Sequence, residues 1–192
     1  MNKGRLEAFS DGVIAILITI MVLELRAPHT ADLAALRPLV PTFLSYLISF
    51  VFIAIYWNNH HHMLQASRHV DGRVLWANMH LLFWLSLVPF ATAWLGHEGL
   101  ASWPVAAYGT VLLCSGMAYF VLSRLLIAVN GEHSPLARAL GEDRKGQYSL
   151  AVYLVSIPMA FVFPVASYAL FVLVAIMWLV PDRRIERMMS EK

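Results

Sequence analysis

Apolar runs of about twenty residues recur along this chain, separated by short polar stretches, and that is the length an α-helix needs to cross a hydrocarbon layer. Six such runs are read, at 6–25, 40–59, 74–94, 103–129, 148–163 and 165–180. The last two divide one apolar stretch, 148–180, that is too long for one span and just long enough for two short ones. Pro158 and Pro164 punctuate it, and the turn is placed near Pro164, because proline disfavours a helical residue before it. Composition agrees with lipid as solvent: 14% of the residues are charged and 59% hydrophobic, whereas a soluble domain carries about 25% charged residues. The expectation is an all-α polytopic membrane protein with six transmembrane helices in one transmembrane domain, residues 1–192.

A cleaved signal peptide is the competing reading of the N-terminus, with Lys3 and Arg5 ahead of the apolar run 12–23. Ser10 and Asp11 interrupt that pattern, and several full-length runs follow, which argues against it. A net charge of +2 without a basic run gives no footprint for nucleic acid. Cys114 is the only cysteine, so an intrachain disulfide or a cysteine metal cluster is excluded, and its apolar setting reads as a packed thiol. The loop 130–147 is polar and too short for a further domain.

Six spans put both termini on one side. Twelve of the fourteen Lys and Arg residues then share that side, including Lys3, Arg5, Arg183, Arg184, Arg187 and Lys192, against Arg26 and Arg37 opposite. The positive-inside rule makes the termini cytoplasmic, and the cell inner membrane is the expected location. Trp94, Trp103 and Trp178 fall at span ends, where tryptophan is favoured.

The first span opens on polar residues. Helical residues advance by about 100° each. With Asp11 at the origin, Gly12, Ile16, Thr19 and Leu23 fall on one stripe between about 80° and 140°, with Arg5 on it and Ile20 at its edge. Ser10 and Asp11 point elsewhere. A carboxylate at the centre of a span costs about 2.5–3.5 kcal/mol on insertion scales, less near the interface, so Asp11 is expected to have partners. The inner end of the second span (Trp57, Asn58, Asn59, His60, His61, His62) and the start of the third (Trp76, Asn78, His80) lie at its depth. Asn, His and Trp all donate hydrogen bonds. Ser10 and Asp11 are therefore expected to tie the second and third helices together. Trp57 and His61, and likewise Trp76 and His80, are i,i+4 neighbours that share a helix face.

These residues form a pattern. Arg5-x-x-x-Phe9-Ser10-Asp11, then Val13-x-Ala15 and Thr19, resembles the signature of the transmembrane protein 175 family, the endosomal and lysosomal potassium channels. Tyr56-Trp57-x-x-His60-His61 is similar to the family's second motif; Asn78 with Ser86-Leu87-x-Pro89-Phe90-x-Thr92 is similar to its third. The resemblance is close over the first three spans and rests on span count beyond Trp94. It implies a cation channel with modest potassium preference, whose single-repeat bacterial members assemble as homotetramers with the first helix lining the pore. It places a hydrophobic constriction at Ile16, with further apolar layers at Ile20 and Leu23. It maps the hydroxyl linked to potassium preference onto Thr19. A packing and hydrogen-bond network falls on Arg5, Phe9, Ser10 and Asp11, joined by Trp57, His61, Asn78 and His80.

Rings of apolar side chains can gate by dewetting. The chain has no Thr-Val-Gly-Tyr-Gly segment, so strong selectivity from a carbonyl-lined filter is not expected. The partners expected are potassium and other monovalent cations, the lipid bilayer and three further copies of the chain, with no nucleic acid and no cofactor.

Other readings stand beside the channel. Ile16, Ile20 and Leu23 could serve helix packing or lipid contact alone. Asp11 with the histidines could carry protons in a proton-coupled transporter, since intramembrane ionisable groups often move ions. Glu24 could attract cations electrostatically or be a plain interfacial residue. The histidines could bind a metal or haem in a membrane enzyme, but no His-x-x-x-His pair with a carboxylate base occurs, and no metal site is expected. No nucleophile–base motif supports catalysis.

Overall fold

The first apolar run folds as α1 (Lys3–Leu23), which buries Leu6, Ser10, Ile14, Leu17 and Met21. Steps of three and four residues put these side chains on a single face. A 3-10 segment, Leu33–Leu39, follows, with Asp32 capping its start by accepting from the Ala34 amide at 3.1 Å. It leads into α2 (Val40–Gln65), where Pro41 sits in the first turn, the position at which a missing amide costs no helical hydrogen bond. The computed structural model describes residues 3–28, 30–140 and 143–179. The basic residues Arg183, Arg184, Arg187 and Lys192, and Val180 at the expected end of the last span, lie outside them.

α2 runs past the expected end at residue 59 as far as Gln65. His60, Met63 and Leu64 are buried, so packing holds these turns helical, and the histidine triplet lies within the helix instead of at its end. The third run folds as two pieces, α3 (Gly72–Ser86) and α4 (Val88–Glu98), joined at Leu87. Pro89 has no amide to donate to the carbonyl four residues back, which explains the interruption. Asp71 caps α3, accepting from the Arg73 and Val74 amides at 3.0 Å each. The Val74 amide bond, then the Arg73 side chain, hold its carboxyl below the usual carboxylate range.

α5 (Ser102–Asn130) touches α3, α4, α7 and α8. Asn130 at its end accepts from the Arg68 and His69 amides at 2.7 and 2.9 Å and donates to the His69 carbonyl at 3.0 Å, which staples the α2–α3 loop to α5. The loop expected at 130–147 contains a short helix, α6 (Pro135–Leu140), anchored by buried Leu136. α7 (Arg144–Met159) and α8 (Pro164–Leu179) form an antiparallel pair, pinned by Ser167 Oγ donating to the Ser156 carbonyl at 2.7 Å and Trp178 Nε1 donating to Ser149 Oγ at 2.9 Å. The turn falls just before Pro164.

Every element among the described residues is helical apart from turns and loops. Among the described residues four segments are long and apolar enough to cross a membrane: Lys3–Leu23, Leu33–Gln65, Gly72–Glu98 and Ser102–Asn130. α7 has 16 residues, about 24 Å of helix against a hydrocarbon core of about 30 Å, and α8 is described as far as Leu179.

Small residues let helices approach closely, as is common between helices in lipid. A Cβ on Gly109 of α5 would stand 2.5 Å from Phe171 Cζ of α8. A Cβ on Gly96 of α4 would stand 3.0 Å from Thr42 Cα of α2, beside the Thr42 hydroxyl that donates to the Gly96 carbonyl at 3.3 Å.

Candidate functional site

α1 packs against α2, α3 and α4 through its buried face. Ser10 sits at the centre of that contact. Its hydroxyl donates to the Leu6 carbonyl at 2.8 Å and accepts from Asn78 Nδ2 of α3 at 2.9 Å. Asn78 Oδ1 lies 2.7 Å from His60 Nε2 of α2. Because the Asn78 amide nitrogen donates to Ser10, its oxygen is the acceptor toward His60, and the network assigns the proton to His60 Nε2. Three buried side chains thus make one directed chain, from His60 through Asn78 and Ser10 to a backbone carbonyl. Each polar group is satisfied there, which is what burial demands.

One residue on, Asp11 is half-buried and accepts from Trp57 Nε1 of α2 at 2.9 Å. Ser10 therefore grips α3 while Asp11 grips α2. Lys3 adds a third tie, donating to the Ser67 carbonyl at 3.0 Å beside Glu7 at 3.6 Å. These contacts fix the rotation of α1 about its axis and hence the direction of its opposite face.

Not every residue expected in the network is in it. His61 stacks on the Trp57 ring at 5.7 Å without bonding Asp11. His80 is exposed and accepts from Trp84 Nε1 within α3, at 2.9 Å. Arg5 and Phe9 lie on the exposed side, Phe9 at 52% exposure. His60 is the participant that the sequence did not single out, although it stands within Tyr56-Trp57-x-x-His60-His61 and one turn from Trp57.

The open face of α1 carries Arg5, Phe9, Gly12, Ile16, Thr19, Ile20 and Leu23. Ile16 is 57% and Leu23 75% exposed, and a Cβ on Gly12 would meet nothing within 4 Å. The face is apolar apart from Arg5 and Thr19. The Thr19 hydroxyl donates to the Ile16 carbonyl at 2.8 Å, which leaves its oxygen lone pairs as acceptors, the polarity a cation requires. At the far end Glu24 stands 4.0 Å from His97 Nε2 of α4. Among the described residues no three His, Cys, Asp or Glu side chains converge as a metal would need.

Comparison with known proteins matches residues 5–89 to the family model described as endosomal/lysosomal potassium channel TMEM175. A protein named as a potassium channel in Chryseobacterium sp. is 49% identical over 191 residues, covering 100% of both chains. The human protein named endosomal/lysosomal proton channel TMEM175 is 34% identical over 84 residues, 35% of this chain and 17% of that one. Among solved structures, the crystal structure of a lysosomal potassium-selective channel TMEM175 homolog from Chamaesiphon minutus superposes with a TM-score of 0.80 at 29% identity, over 93% of this chain and 96% of that one.

Proposed function

The chain belongs to the TMEM175 potassium channel family, and on that premise we propose that it conducts potassium and other monovalent cations through a pore lined by α1 from four subunits. One observation carries the reading: the stripe Gly12, Ile16, Thr19, Leu23 is open in the single chain, while the opposite face of the same helix is buried and anchored by Ser10 and Asp11. An apolar face so oriented needs either lipid or copies of itself as neighbour. Lipid would leave unexplained why a hydroxyl and a glycine sit within it.

Four copies around an axis make rings of Ile16, Ile20 and Leu23, which exclude water when narrow and conduct when the helices rotate or spread. Thr19 oxygens replace part of the ion's hydration shell beside the Ile16 ring. Ser10, Asp11, Trp57, Asn78 and His60 position α1 and carry no ion. The basic residues place both termini in the cytoplasm of a cell bounded by its inner membrane, with six spans forming one unit over 1–192. The relatives are named as channels, which points away from catalysis.

In liposomes loaded with potassium, Ile16→Asn is expected to raise flux by about an order of magnitude, because a polar ring stays hydrated. Thr19→Val is expected to lower the potassium-to-sodium permeability ratio. Wild-type behaviour in both variants would overturn the pore assignment.

A second reading rests on the name of the animal relatives, which are called proton channels: Asp11 and the cytoplasmic-side histidines carry protons. A pH gradient without potassium distinguishes the two. Proton flux abolished by Asp11→Asn, in protein that remains folded, would favour the second; potassium flux persisting in Asp11→Asn favours the first.

A further inference from the structure

Thr92 closes the motif Ser86-Leu87-x-Pro89-Phe90-x-Thr92 and is buried in α4. Its hydroxyl donates toward the Val88 carbonyl at 2.7 Å and toward Ser49 Oγ of α2 at 2.6 Å. One proton serves both oxygens, as a three-centre bond. Ser49 Oγ is bonded in turn to the Tyr108 hydroxyl of α5 at 2.9 Å. The same Thr92 oxygen rests 3.9 Å from Met21 Sδ of α1. Ser49, Thr92, Tyr108 and Met21 are all buried. Three helices thus join their hydroxyls at one point, and a fourth, α1, leans on that point.

Met21 follows Ser10 by eleven residues, about 17 Å along α1 and about 20° around it. The two side chains therefore share one face. Between them lie Ile16 and Thr19; Ile20 and Leu23, both exposed, flank Met21. The inner end of this segment is held by Ser10 on Asn78. The outer end is held by Met21 against Thr92. The seam behind Thr92 is tight: Thr42, Ser45 and Ser49 of α2 are buried, Thr42 donates to the Gly96 carbonyl at 3.3 Å, and a Cβ on Gly96 would stand 2.9 Å from Ser45 Oγ. Close packing of this kind transmits a displacement instead of absorbing it. A helix held at one point can turn about that point; held at two points on one face, it cannot.

We propose that Thr92, supported by Ser49 and Tyr108, is a positioning residue for ion selection: through Met21 it sets the rotation of the outer half of α1, and with it the register of the Thr19, Ile20 and Leu23 rings. The inference rests on the reading of α1 as the pore-lining helix.

The readout is the potassium-to-sodium permeability ratio in liposomes, since a ratio does not depend on how much protein folds and inserts. Thr92→Val keeps the shape of the side chain and removes the hydroxyl; it is expected to lower the ratio at least twofold. Thr92→Ser keeps the hydroxyl and is expected to restore the wild-type ratio. Ser49→Ala removes the partner on α2 and is expected to act as Thr92→Val does, so the result does not depend on one variant folding. Ser167→Ala removes a buried hydrogen bond between α7 and α8 and is expected to leave the ratio unchanged. A second readout needs no ion flux. On a Cys114→Ser background, Leu17→Cys on the buried face of α1 is expected to react with a thiol reagent at least threefold faster when combined with Thr92→Val. No acceleration, an equal fall of the ratio in Thr92→Ser or in Ser167→Ala, or an unchanged ratio in both Thr92→Val and Ser49→Ala would overturn the proposal. Thr19→Val separates this failure from that of the pore itself. If Thr19→Val lowers the ratio and the Thr92 and Ser49 variants do not, the pore reading stands and the positioning role falls. If Thr19→Val also leaves the ratio unchanged, the pore reading falls and the positioning role with it.

Discussion

Asn78 has the most consequential side chain in the polar contact of α1, α2 and α3. It accepts from one buried group and donates to another, so its loss strands two partners at once. Hydrogen bonds between transmembrane helices average only about 0.6 kcal/mol by double-mutant cycles. A buried polar group left unpaired costs about 1–3 kcal/mol, and the second figure governs here because neither His60 nor Ser10 can turn to water. Asn78→Ala is expected to lower unfolding stability in detergent by about 2–4 kcal/mol, read from denaturant titration. His61→Ala, which removes a stacked ring at an exposed position, is expected to change it by under about 1 kcal/mol. A matching loss in both variants would show that the directed chain through Asn78 contributes nothing special. At this scale the sequence was only partly informative. Trp57 and Asn78 were legible as partners because they are donors at the depth of Asp11. His60 could not be separated from His61 and His62, because which of three adjacent histidines faces α3 depends on the rotation of α2.

Among elements, α1 was the most legible. Its two faces follow from residue spacing alone, since 3.6 residues per turn sorts side chains without knowledge of any neighbour. The division of the third run into α3 and α4 was less so: Pro89 was visible, but a proline inside an apolar run can bend a helix or end it. The close approach of α5 to α8 was invisible, because nothing in the local pattern of Gly109 says that Phe171 lies opposite. Gly109→Val is expected to push these helices apart at a cost of about 1–3 kcal/mol, the usual penalty for overpacking a tight contact. The measurement is the thermal midpoint in detergent, with Gly72→Val as the control, since Gly72 has open space beside it and lies off the α1 stripe. If the two variants melt together, the α5–α8 contact is looser than described.

For the whole molecule, the decisive property is what covers α1. A single chain leaves an apolar face from Phe9 to Leu23 uncovered, which fits an assembly in which copies surround a shared axis. Native mass spectrometry is expected to give about four times the chain mass of 21.6 kDa, and a monomer that still conducts would refute the pore proposed above. Thiol labelling separates the faces: on a Cys114→Ser background, a bulky reagent is expected to block flux through Thr19→Cys and to leave Ile14→Cys unlabelled, since Ile14 is 2% exposed. The resemblance read from the first three spans is borne out by a family match ending at residue 89, and full-length similarity to a bacterial relative extends it to the rest. The last two apolar helices remain the least legible part, because one proline-punctuated apolar stretch holds both and the 16 residues of α7 are short for a bilayer, so packing on α5 is what distinguishes them from a surface hairpin.

The sequence by itself determined that the chain is helical, that it belongs in lipid and that its first helix has a polar anchoring side and an open stripe. Those properties depend on composition and on periodicity within a single segment. Only the tertiary structure decided that Ser10 bonds Asn78, that Asn78 bonds His60 instead of His61, and that Thr92 and Ser49 meet beside Met21. These are pairings between residues 18 to 71 positions apart. They depend on how far each helix is rotated and slid against its neighbours, and that is settled by packing across the whole molecule.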